Sequence, residues 1–195
     1  MPRPISRHLV PLAFAFAIGA TLPAAADDVS DALHAALDAY DAGNLAKTGE
    51  SITLAMQGLG MQQSAMLAAL LPAAPTGWTA TPTTDFARGF GIMGGGARAE
   101  TRYDKADRSQ SFTLSFIADN PMVASMGAML GNAQMMAMMG KVVKVGDQPL
   151  LQTDNNLSTL VNNRVLFQAQ GAVTDVMLPL AQTIDFAKVG TFDAK

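Results

Sequence analysis

Seven of the thirteen methionines fall between residues 122 and 139: Met122, Met126, Met129, Met135, Met136, Met138 and Met139. A thioether is a soft ligand that selects Cu(I), and a few such sulfurs at helical spacing can converge on one ion without help from Cys or His. On a helix Met122, Met126 and Met129 share one face, and Met135, Met138 and Met139 share another beyond the break at Gly131-Asn132. The same stripes also make adaptable apolar surfaces that fill cores or receive a protein partner. The segment is therefore read as a partner-binding surface that needs no cofactor. The alternative reading is a Cu(I) site on Met122, Met126 and Met129.

A second stretch, Gly89-Phe90-Gly91-Ile92-Met93-Gly94, matches the spacing of a dinucleotide-binding loop. That chemistry needs a strand before and a helix after, so that the pyrophosphate meets a helix N-terminus. Here a Thr/Pro stretch precedes, Gly95-Gly96 leads into strand-like alternation, and no P-loop Lys-Ser/Thr follows. The stretch reads instead as an apolar, glycine-rich connection, with Gly94 and Gly95 as further partner-binding positions. Carboxylates offer little. Asp104 and Asp107 sit in a polar segment typical of hairpin tips, Asp154-Asn155-Asn156 and Asn162-Asn163 read as turns, and Glu50 and Glu100 are the only glutamates. With no Cys and with His34 the only histidine beyond residue 8, zinc sites of the Cys/His type, HExxH sites and Cys/His nucleophile pairs are excluded. A Ser/His/Asp triad would have to use His34, which lies in an alanine-rich helical stretch. No catalytic residue is assigned, and the chain is read as non-enzymatic.

The elements that would position these residues begin with an address. Arg3 and Arg7 precede an apolar run from Leu9 to Leu22, and Ala24-Ala25-Ala26 precedes Asp27, the pattern of a signal peptide over residues 1–26 cleaved after Ala26. Export to the periplasm is the expectation. The remaining residues carry 11 Lys+Arg against 16 Asp+Glu, which disfavours a nucleic-acid partner. The expected partner is another exported or membrane-associated protein. No later segment is apolar for the roughly 18 residues that a membrane-spanning helix needs, and without Cys the fold must hold by packing alone.

From Val29 to Leu71 apolar residues recur at helical spacing, with a break at Gly43-Asn44, so residues 27–71 are predicted to form a helical hairpin. Tyr40-Asp41-Ala42-Gly43-Asn44 resembles the turn between the two helices of a tetratricopeptide-type unit. No second copy follows at the 34-residue period of such repeats. A lone hairpin cannot bury its own apolar face. It must therefore pack elsewhere in the chain, with Met56, Met61 and Met66 as natural partners for the methionine segment. Gly58 and Gly60 imply close packing or a kink in the second helix.

Residues 72–195 are predicted to form an α+β domain: an antiparallel β-sheet flanked by helices, packed with the hairpin as one unit. Alternation over 98–103 and 111–117 predicts a β-hairpin with Phe112, Leu114 and Phe116 on one face. A helical methionine segment then starts at Asn120-Pro121 and reaches Gly140. Strands are expected over 141–146, 149–153 and 164–169, followed by a closing helix over 173–189 whose regular part starts at Pro179. This order of elements, with Leu71-Pro72-Ala73-Ala74-Pro75-Thr76-Gly77-Trp78 ahead of the sheet, resembles exported α+β domains of the PsbP/DcrB-like type over about residues 72–190. The resemblance implies a non-enzymatic accessory or binding role at membrane complexes. It transfers no functional residue.

Overall fold

A computed structural model of the chain describes residues 26–83 and 95–194. Residues 1–25 of the expected signal peptide and the dinucleotide-like stretch with Gly94 lie outside the described residues. The described chain is α+β. Helices α1 (Ala26–Asp41) and α2 (Leu45–Ala68) form the N-terminal hairpin. The turn between them has Gly43 at φ +72°, and the Asn44 side chain accepts the Lys47 amide at 3.1 Å to cap α2. Small residues line the helix contact: Ala36 and Ala39 of α1 are buried with Ser51 and Ala55 of α2. A Cβ on Gly58 would come within 2.7 Å of Val29 Cγ2, so this glycine answers to close helix packing.

Seven strands follow: β1 (Trp78–Thr83), β2 (Ala97–Lys105), β3 (Ser111–Ala118), β4 (Lys141–Val145), β5 (Gln148–Thr153), β6 (Asn156–Val161) and β7 (Val165–Gln170). They form one sheet in the order β1-β2-β3-β7-β6-β5-β4, and every neighbouring pair is antiparallel. Helices α3 (Pro121–Leu130) and α4 (Ala133–Met139) carry the chain from β3 across the sheet to the far edge at β4. The strands then return one by one until β7 pairs with β3, setting Phe116 opposite Phe167. Two short helices, α5 (Thr174–Ala181) and α6 (Phe186–Val189), close the fold.

Strand alternation divides the apolar residues between two cores. On one face Tyr103, Phe112, Phe116 and Phe167 pack with Leu67 of α2 and with Met177 and Phe186 of the closing helices. Tyr103 and Phe112 stack at 5.1 Å, and Trp78 meets Phe112 edge-on at 5.0 Å. On the other face Ile117, Leu151, Leu160 and Leu166 pack under Val123, Leu130 and Met136 of α3 and α4. The hairpin joins the first core through the C-terminal half of α2. Ala97 and Ala99 are buried and small, and Ser64 Oγ accepts the Arg98 amide at 3.1 Å. A Cβ on Gly60 would stand 3.1 Å from the Gly96 carbonyl, so helix and strand approach there without a side chain between them.

Two sequence expectations need correction. The expected strands omit β6, because Leu157 and Leu160 face opposite cores while Ser158 and Thr159 are buried between them, which hides the alternation. Thr159 tolerates burial because its hydroxyl donates to the Pro149 carbonyl and accepts from Gln148 Nε2, both at 2.6 Å. The closing helix does not run from 173 to 189, and Pro179 lies inside α5 instead of opening it. Burial of Thr174, Met177, Leu180 and Ala181 on one face of α5 outweighs the hydrogen bond that proline forgoes.

Candidate functional site

The methionine segment is two helices, each started by an asparagine. Asn120 accepts the Met122 amide at 2.9 Å with Pro121 in the first turn, and Asn132 accepts the Gln134 amide at 2.9 Å. The Asn120 amide group also donates to the Gly95 carbonyl at 2.8 Å, which ties the start of α3 to the chain just before β2. Gly95 is thus a half-buried junction with φ +79°, beside α3 and within reach of Met56.

The seven methionines are not equivalent. Met136 is fully buried in the second core, at 0% exposure, and half-buried Met126 packs against the same cluster. These two serve packing, since the i, i+3 and i+4 periodicity of a short helix sends one stripe to the sheet whatever residue type fills it. Met122, Met129, Met135, Met138 and Met139 remain exposed, Met138 at 79%. Met56, Met61 and Met66 do not cover them. All three are exposed on α2, which packs on α1 and β2. The expected burial of hairpin methionines against the insertion is therefore not seen among the described residues, and both sets lie at the surface.

Beside Met139 an open groove of about 780 Å³ is lined by Gly140, Lys141, Gln152, Asp154, Thr174 and Asp175 among others. Gln152 Nε2 donates to Thr174 Oγ1 at 2.7 Å across its floor, and Gln152 Oε1 is buried with no partner among the described residues. The groove is a polar boundary to the methionine surface.

The carboxylates read as turn residues behave as such. Asp104 is bound by Arg102 Nε at 2.9 Å, and Asp107 accepts from the amide and hydroxyl of Ser109 at 2.9 and 2.6 Å. Those two Ser109 hydrogen bonds hold the Asp107 carboxyl below its ordinary value. Sequence reading overlooked the strongest charge cluster, because its members are distant in the chain. Arg164, just before β7, donates to Asp119 at 2.7 Å through Nε and Nη2 and to Asp193 at 2.6 and 2.7 Å through its two Nη atoms. Its guanidinium also lies 5.1 Å from the Phe192 ring centre, and Gln63 of α2 donates to Asp193 at 3.2 Å. Arg164 holds the Asp193 carboxyl down at about 2. Both carboxylates are engaged by Arg164, so the cluster staples the C-terminal segment to β7 and α2, and Asp193, held ionised, is unsuited to proton transfer near neutral pH. His34 is exposed on α1. Among the described residues no group of three or more His, Cys, Asp or Glu side chains is placed to hold a metal ion. No described helix is long and apolar enough to cross a membrane.

Comparison with models of protein families, with curated proteins and with solved structures finds no match.

Proposed function

We propose that this chain is a non-catalytic accessory protein of the periplasm that binds another exported or membrane-associated protein through the methionine surface of α3 and α4. The observation that carries the reading is the division of that segment: Met136 and Met126 serve the second core, and five methionines remain exposed beyond what packing requires. Unbranched, polarisable side chains suit a surface that adapts to its partner. The resemblance of the sequence to exported PsbP/DcrB-like domains implies an accessory role of the same kind. The test is site-specific photo-crosslinking in the producing cell from position 138, beside a variant with Met122, Met129, Met135 and Met139 all replaced by Ala. A discrete crosslinked partner lost in the variant supports the proposal, and an unchanged crosslinking pattern removes it.

A second reading, Cu(I) binding, draws on Met122, Met126 and Met129 lying within successive turns of one formed helix. Packing of Met126 against the second core leaves two of these three sulfurs exposed. An anaerobic competition titration on the full chain decides it. Stoichiometric Cu(I) binding lost in Met122→Ala and Met129→Ala variants would favour this reading over the first.

A further inference from the structure

We infer that the N-terminal hairpin carries a second docking surface, distinct from the methionine surface, whose occupant is a basic amphipathic helix of a partner protein. Leu33, Leu37 and Tyr40 recur at i, i+4 and i+7 on α1, and Ile52, Met56 and Leu59 recur at i, i+4 and i+7 on α2. All six are exposed, each by 44% or more. At 100° per residue, the α1 stripe is turned about a quarter revolution from the line of Ala36 and Ala39, which face α2. The α2 stripe is turned by a similar angle, in the same sense, from Ser51 and Ala55, which face α1. Because the helices run antiparallel, equal turns in the same sense bring both stripes to the same side of the hairpin. The result is one apolar face two helices wide. Among the described residues only the C-terminal part of α2 continues into the sheet core, at Leu67.

Charge identifies what covers this face. Residues 27–71 contain six Asp or Glu and one Lys, whereas residues 72–195 contain ten acidic and ten basic residues. The net negative charge of residues 27–195 is therefore concentrated in the hairpin. Exposed Asp31, Asp38 and Asp41 follow one another along the outer side of α1, beside the apolar stripe. An occupant that lays leucine-like side chains on the face would bring the flanks of its own helix over these carboxylates. Lysines or arginines there complete the match, the arrangement by which an amphipathic helix occupies an apolar groove. A second copy of the chain would bring one acidic hairpin against another, and the anionic surface of a bilayer would repel it. The described residues of α1 contain no Lys or Arg to relieve either repulsion.

The probe is a fluorescein-labelled 18-residue helix of leucine and lysine with one apolar face, titrated against the full chain and followed by anisotropy. A peptide of identical composition with scrambled order, vesicles containing phosphatidylglycerol, and sedimentation equilibrium of the protein alone run in parallel. The expected result is micromolar binding of the amphipathic peptide, at least tenfold weaker binding of the scrambled one, and a monomeric protein that ignores the vesicles. Ile52→Asp and Leu37→Asp, both at exposed positions, each weaken peptide binding about tenfold or more, a step of about 1.4 kcal/mol. Asp38→Lys with Asp41→Lys weakens it and flattens its salt dependence. Equal binding of both peptides, or indifference to Ile52→Asp with unchanged circular dichroism, overturns the inference. A dimer dissociated by Ile52→Asp, or vesicle binding lost in that variant, assigns the face to a second copy or to lipid and overturns it equally. None of these variants touches α3 or α4, so failure here leaves the methionine-surface proposal standing, and the reverse holds.

Discussion

Met136 and Met138 are two residues apart in one seven-residue helix, and replacing each by Ala tests the division of the methionine segment directly. Met136 is fully enclosed with Val123, Leu130, Leu151, Leu160 and Leu166. Met136→Ala removes three heavy atoms from this cluster. At about 0.8 kcal/mol per buried group, lost transfer energy alone is roughly 2.5 kcal/mol. The sheet residues below cannot close the space, and a cavity contribution brings the total to about 3 kcal/mol. Met138 is 79% exposed, so Met138→Ala falls within about 0.5 kcal/mol of zero. In urea denaturation at constant m-value the first variant loses about 3 kcal/mol and the second is indistinguishable from the parent. For a domain of about 150–250 residues each kcal/mol moves the thermal midpoint by roughly 2–4 °C, so Met136→Ala melts roughly 6–12 °C lower. Equal losses in the two variants, or a larger loss for Met138→Ala, would refute the assignment of one methionine to the core and the other to the surface.

Gly96 has φ +99°, and a Cβ there would collide with the Ala118 carbonyl oxygen, so Gly96→Ala should cost about 3 kcal/mol or more in chemical denaturation. Gly49 lies inside α2 with nothing within 4 Å of where a Cβ would stand, so Gly49→Ala should instead stabilise by about 0.5–1 kcal/mol in the same assay. The Tyr103 hydroxyl donates to the Pro72 carbonyl at 2.6 Å, and burial raises its pKa to about 12. Stability from keeping that phenol neutral is complete below its ordinary value of about 10 and declines as pH rises towards about 12, which spectrophotometric titration at alkaline pH should show. Tyr103→Phe should cost about 1–2 kcal/mol by leaving the Pro72 carbonyl unpartnered. Asp193, lowered to about 2 by Arg164, contributes stability above its unfolded pKa of about 4 that is lost as pH falls through about 2. With the Arg164 side chain 34% exposed, solvent screening reduces this contribution to about 1 kcal/mol. Asp193→Asn should therefore remove about 1 kcal/mol at pH 7 and little at pH 2.

Local chemistry is legible in the order of residues alone. Gly43-Asn44 ends one helix and caps the next through a left-handed glycine and an asparagine side chain, and both effects act within four residues. Asn162 and Asn163, read as a turn, have φ of 50° and 53° between β6 and β7. Phe112, Leu114 and Phe116 share the core face that their alternation requires. Strand β6 is illegible because it is buried on both sides, and such a strand has no solvent face to mark its period. Pro179 misleads because its preference for a helix start is weaker than the burial that holds the turn before it.

The sequence by itself determined an α+β chain with a helical hairpin ahead of an antiparallel sheet, because apolar period and turn chemistry act between near neighbours. Only the tertiary structure decided that β7 inserts beside β3, that Arg164 reaches Asp119 across 45 positions, and that Met136 is enclosed while Met138 is open to water. It also decided that the apolar face of the hairpin is left uncovered by the described residues through most of its length, where the sequence alone required a partner within the chain. A periodic pattern states only that a face is apolar. Whether that face meets another is set by pairings distant along the chain, which no local window of residues contains.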